Sequence, residues 1–223
     1  MDLDFSPLLL TFKLASITTI LLLVVGIPLA YWLAFSKFKF KFIIEAFVSM
    51  PLVLPPSVLG FYLLVAFSPQ NFIGRFLNEY FNLRLVFSFE GLIVASFIFS
   101  LPFMVHPVIS GFKSIPENIQ EAAYTLGKSK FTTLRKILLP NIKPALLSGI
   151  VLSFAHTIGE FGVVLMIGGN IPNQTRVASI AIYDEVEALN YASANKYAFI
   201  LFIISFSILI FVHYFNKKMI KPF

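Results

Sequence analysis

Apolar residues in this chain gather into five long runs, at about 14–35, 42–67, 91–109, 145–167 and 197–215, separated by short polar or basic segments. A helix needs roughly 20 apolar residues to cross the ~30 Å of hydrocarbon in a bilayer. The pattern therefore predicts an all-α, polytopic membrane protein: one transmembrane domain over 1–223 with five spans. The second run is interrupted by Pro51, Pro55 and Pro56. Proline removes a backbone donor and disfavours helix in the residue before it. In lipid the freed carbonyls need partners within the protein, so this helix is expected to be kinked and packed against neighbours. Residues 68–88, with Asn71, Asn78 and Asn82, read as a polar loop.

Charge then orients the spans. Asp2 and Asp4 precede the first run, and Lys37, Lys39 and Lys41 follow it. A secretory signal peptide has the opposite polarity, so the first run reads as a retained anchor with its N-terminus outside. Five spans then leave the C-terminus inside. Segments assigned inside carry Lys37, Lys39, Lys41, Lys113, Lys128, Lys130, Arg135, Lys136, Lys143, Lys217, Lys218 and Lys221, twelve of the seventeen basic residues. Tyr31 and Trp32, near the inner end of the first run, read as interfacial anchors.

Composition excludes several classes. The chain is 58% hydrophobic and 13% charged, against about 45–50% and about 25% in soluble domains. It has no cysteine, which removes disulfides, thiolate catalysis and cysteine-based zinc sites. The +6 net charge lies in the short inside segments, a membrane-orientation pattern and not a nucleic-acid groove. The three histidines, His106, His156 and His213, show no metal-ligand spacing and read as single polar packing groups. Ser153, His156 and Glu160 fall at i, i+3 and i+7 and share a helix face, which fits a polar pathway or a packing face as well as an intramembrane enzyme.

The inside segment 113–143 is too structured to be a simple connector. Ser114 and Glu117 have capping-box spacing with Pro116 near the first helical position. Residues 117–126 read as a short helix ended by Gly127, and about 129–139 as a second one ending at Pro140. Glu121, Ala122 and Ala123 lie on the exposed short helix, where alanines let another backbone approach closely.

The order Glu121-Ala122-Ala123, three residues, Gly127, nine residues, Ile137, one residue, Leu139-Pro140 resembles the signature loop of binding-protein-dependent ABC importer permeases. The resemblance implies a type I permease fold whose coupling helix, including Glu117, docks on a separate cytoplasmic ATPase dimer. ATP and Mg would then belong to that partner. The chain itself has no G-x-x-x-x-G-K-[ST] phosphate loop, so it is expected to be no enzyme. The run from Met50 to Tyr62, with Pro55 and Pro56, is similar to the proline-rich core helix of molybdate permeases. Gly159-Glu160-Phe161-Gly162, Gly169-Asn170-Ile171-Pro172 and Thr175-Arg176 resemble the molybdate, tungstate and sulfate branch. A homodimer in a bacterial inner membrane, fed by an external oxyanion-binding protein, follows from the resemblance.

A tetrahedral dianion needs a polar route with hydrogen-bond donors. Candidate pathway or gate residues are Pro55, Pro56, Ser153, His156, Thr157, Gly159, Glu160, Phe161, Gly162, Thr175 and Arg176. Glu160 is expected either to cap the outer end of its span, or pair with a base such as Arg176, or to act in a gate. An ATP-independent channel or secondary transporter would explain the spans but not the inside loop.

Overall fold

The computed structural model describes residues 4–219, with side chains at 212, 213 and 215–219 left undescribed. Asp2 and Lys221, and the side chains of His213, Lys217 and Lys218, lie outside the described residues. No strand occurs among the described residues.

Three of the five runs form single helices long and apolar enough to cross a membrane. These are α1 (Ser6–Phe35), α5 (Phe89–Lys113) and α12 (Tyr191–Met219). The second run splits at its prolines into α2 (Lys41–Ser49) with a 3-10 turn Met50–Leu52, then α3 (Pro56–Phe67), bent by 112°. The expected kink is thus a full break. The fourth run is also broken, into α9 (Lys143–Gly159) and α10 (Gly162–Gly168), with Glu160 extended between them.

Helix α5 is the axis of the bundle, packed by α1, α9 and α10. Near the middle, α1 and α9 both close on Met104. A Cβ added to Gly26 would meet Met104 Cγ at 2.9 Å, and one added to Gly149 would meet its Sδ at 3.1 Å. Without a hydrophobic drive between helices in lipid, such close approach at small residues supplies the packing. One core cluster joins Leu59, Leu63, Leu92, Ala95, Val163 and Ile167 around the N-terminal half of α5. A second joins Leu22, Val105, Val108, Phe112, Leu138 and Ile142 around its C-terminal half. Helix α12 packs mainly on α9 and on α11 (Ala178–Glu187), with Tyr197 reaching Leu8 and the Asp4 carbonyl at the start of α1, and leaves Phe199, Phe202, Phe206 and Ile210 exposed, as a lipid-facing span should.

Three local expectations are corrected. Residues 72–81 form a helix, α4 (Phe72–Phe81), not a loop. Phe72, Phe76 and Tyr80 repeat at i, i+4 and i+8 on an exposed stripe. Asn71 and Asn82 mark its ends, the latter in the left-handed conformation of a C-terminal cap. Ser114 does not cap the following helix: its hydroxyl donates to the Gly111 carbonyl and closes α5, while α6 (Glu117–Thr125) begins after Pro116 without a side-chain cap. The second inside stretch does not stop at Pro140. It runs through α7 (Lys130–Thr133), a π-helical turn Leu134–Leu138 and α8 (Leu139–Asn141). The π turn is closed by the Leu139 N–H donating to the Leu134 carbonyl, one residue before Pro140, which has no N–H to donate.

Candidate functional sites

Beyond the C-terminal end of α5, α6 stands apart from the bundle. Glu117, Glu121 and Ala122 are exposed, whereas Ala123 is 2% exposed and faces the protein's own interior. Neighbouring helical residues sit about 100° apart, so the two alanines expected on one surface divide between an outer and an inner face. Gly127 (φ +71°) ends the helix: its N–H donates to the Tyr124 carbonyl and Lys128 N–H to the Ala123 carbonyl, a Schellman closure that needs the left-handed backbone. An open cleft of about 690 Å³ separates α6 from the end of α1, lined by Tyr31, Trp32, Phe35, Glu117, Glu121 and Tyr124. Ile137 and Leu139 are half-buried and Pro140 is exposed. They lie in the stretch whose Leu138 is fully buried in the second core cluster, so this stretch anchors α6 to the bundle.

Beside the N-terminal half of α5 the two proline- and glycine-bearing motifs meet. Gly162 approaches Pro56, and Gly60 approaches Val163 and Met166, so α3 and α10 pack backbone to backbone. Glu160, 7% exposed, spans the break in the fourth run. Its Oε1 accepts from Val163 N–H at 2.7 Å, capping α10, and its carbonyl accepts from the Ser179 hydroxyl at 2.7 Å. Gly159 is exposed with nothing within 4 Å of an added Cβ, and Phe161 packs on Tyr183 at 5.0 Å. The Tyr183 hydroxyl donates to Glu187, whose carboxylate raises the phenol's pKa above its usual value.

Arg176 does not pair with Glu160. It lies 3.1 Å from Asp184 and 3.8 Å from Glu185, both on α11, while the Glu160 carboxylate accepts from the backbone. Thr175 is fully buried: its hydroxyl donates to the Gly168 carbonyl and accepts from Ile171 N–H, pinning the outer loop. Ser153 and Thr157, expected to line a pathway, are buried in the protomer. Thr157 donates to the Ser153 carbonyl and contacts Ser100 on α5 at 3.1 Å. His156 is half-buried, 2.9 Å from the Ser100 hydroxyl and stacked on Phe103 at 4.0 Å. Both positions, 153 and 157, are thus enclosed by the protomer's own helices.

Three partners escaped the sequence reading. Ser100 supports His156, Ser179 satisfies the Glu160 carbonyl, and the Thr11 hydroxyl accepts from Ala178 N–H at 2.8 Å, so that α1 caps α11 across 167 residues. Of these hydroxyls only Ser100 lies inside one of the five apolar runs, and all three partners lie far away in sequence.

Residues 26–221 match the family described as binding-protein-dependent transport system inner membrane component. The chain is 48% identical over 207 residues to the molybdenum transport system permease protein ModB of Azotobacter vinelandii, covering 92% of this chain and 91% of that protein. It is 34% identical to a probable sulfate transport system permease protein of Marchantia polymorpha, covering 91% and 70%. Among solved structures, an inward-facing MetNI methionine ABC transporter chain superposes with a TM-score of 0.73 at 18% identity, covering 95% of this chain and 94% of that one. An ABC transporter for alginate import superposes with a TM-score of 0.72 at 16% identity, covering 96% and 80%. At such identities the superpositions establish the fold.

Proposed function

Since the chain belongs to the binding-protein-dependent transport system inner membrane components, we propose that it is the membrane subunit of an ATP-driven importer of molybdate. A subunit of this family works with an ATPase and a substrate-binding protein and is a multi-pass inner membrane protein. The observation that carries the choice of anion is the near-full-length identity to a molybdenum permease, well above that to the sulfate-type relative.

Two copies form the translocation path between them, a closed twofold assembly. The bacterial membrane holds the N-terminus outside and the C-terminus inside. The outer face, including the 168–187 region built on Thr175 and Arg176, receives the binding protein. The exposed Glu121 and Ala122 face of α6 docks on the ATPase, whose ATP and Mg drive closure. Because α7 to α8 root this region in the inner core through Leu138 and Ile142, movement of α6 passes directly to α9 and α5. The broken helices α2–α3 and α9–α10 are the natural flexing points, and alternating access follows from rocking about them.

Reconstitution with the cognate ATPase and binding protein tests the reading. Molybdate uptake dependent on ATP, with tungstate close behind and sulfate far weaker, is expected. Preferential sulfate or thiosulfate uptake would reassign the substrate, and uptake without ATP would make the chain a channel or secondary transporter.

A further inference from the structure

Irregular backbone at membrane depth is tolerated only where protein covers it or where it lines water. The break between α2 and α3 is not covered by the protomer. Leu52 and Val53 are 51% and 84% exposed, and Pro55, Pro56 and Ser57 are exposed as well. Its depth can be read from its neighbours. Ser49, just before the break, lies 3.0 Å from His106 Nε2. His106 precedes Lys113 by seven residues, placing it about 10 Å up the helix from the inner end. Leu59 and Leu63, just after the break, pack with Leu92, Ala95 and Phe99 in the outer half. The break therefore sits near mid-membrane.

A second observation lies beside it. His106 and Ser110, one turn apart on α5, are both exposed, although most of α5 is buried by its neighbours. Polar groups facing hydrocarbon are costly and rare, and α12 shows what a lipid-facing surface of this protein looks like: Phe199, Phe202, Phe206 and Ile210. The Ser49 hydroxyl donates to the Glu45 carbonyl at 2.7 Å, so towards His106 it is the acceptor and Nε2 carries the proton.

We propose that the Val53–Pro55 break and the His106–Ser110 face of α5 form a hydrated wall of the translocation path, along which an oxyanion passes with its water shell. The proposal rests on the importer reading above, in which a second copy closes the path opposite this wall. Weak, water-mediated contact is also what rapid passage demands.

The chain has no cysteine, so single-cysteine variants report without background. In vesicles holding the assembled complex, an anionic, bilayer-impermeant methanethiosulfonate supplied to both faces should modify His106→Cys and Ser110→Cys about 100-fold faster than lipid-facing Phe206→Cys, the order of discrimination that hydrocarbon imposes on a charged group. Val53→Cys, at an exposed position, gives the same reading should His106→Cys fail to assemble. Rates no faster than that of Phe206→Cys overturn the wall. ATPase stimulation by binding protein and molybdate, measured on the Phe206→Cys complex, tests the importer reading separately: stimulation without labelling removes the wall alone, and labelling without stimulation removes the importer reading and leaves only a water-exposed face.

Discussion

Gly162 rests against Pro56: a Cβ built on the glycine would fall 2.8 Å from the Cβ of the proline. Two motifs about a hundred residues apart, each at a helix break, thus form one contact. Pro56 fixes the start of α3, and Gly162 opens α10, so the two half-helices meet where the glycine leaves room for the proline ring. The same rule holds one turn on, where a Cβ on Gly60 would come within 2.7 Å of Met166 Cβ and 3.1 Å of Val163 Cα.

Gly60→Ala and Gly162→Ala should therefore destabilise the folded permease by about 1–3 kcal/mol, the range for forcing extra carbon into a packed site. Gly159→Ala has open space around its new methyl and should melt like the wild type. Thermal unfolding in one detergent compares all three. Equal melting temperatures would mean that α3 and α10 separate freely.

Glu160 serves as a cap in this conformation, and a cap requires an oxygen, not a charge. Glu160→Gln keeps an acceptor for Val163 N–H and should retain wild-type uptake. Glu160→Ala should lose about 0.5–2 kcal/mol of stability, as other N-cap deletions do. Loss of uptake in Glu160→Gln at an unchanged melting temperature would instead give the carboxylate charge a part in gating.

How much of this was legible beforehand follows from the range of each interaction. The five apolar runs and the break at Pro51, Pro55 and Pro56 are local properties, and the helices follow them closely. The second break, at Glu160 and Phe161, contains no proline, and its partners Ser179 and Val163 become visible only in three dimensions. Helix α4 was hidden because Asn71 and Asn82 suggest a loop, although here they mark helix ends around a helical repeat of Phe72, Phe76 and Tyr80. For Ser153 and Thr157 the side-chain type gave a polar face, but not whether that face meets α5 or a pathway. Arg176 met a similar limit: its sequence neighbourhood offers Glu160, Asp184 and Glu185, and only the placement of α11 decides among them.

The buried Thr175 hydroxyl both donates to Gly168 and accepts from Ile171. Thr175→Val keeps the shape but leaves two backbone groups unpaired, and an unsatisfied buried group costs about 1–3 kcal/mol. Thr175→Ser keeps both bonds. Limited proteolysis of residues 168–190 should be faster in Thr175→Val and near normal in Thr175→Ser. Matching rates in the two variants would show that the hydroxyl does not hold the loop.

Helix α6 allows its fold to be separated from its proposed contact with the ATPase. Gly127 needs φ near +71° and donates its N–H to Tyr124. Gly127→Pro allows neither, since proline holds φ near −65° and has no N–H. Gly127→Ala adds only the left-handed backbone strain of about 1–2 kcal/mol, and Gly127→Asn should be milder still. Glu121 is exposed, so Glu121→Arg leaves the permease fold intact while reversing the charge on the face proposed to dock. Co-purification with the ATPase should therefore be lost in Gly127→Pro and Glu121→Arg, weakened in Gly127→Ala and nearly kept in Gly127→Asn, with all four inserted in the membrane. A Glu121→Arg variant that still retains the ATPase would place the docking surface elsewhere than on the outward face of α6.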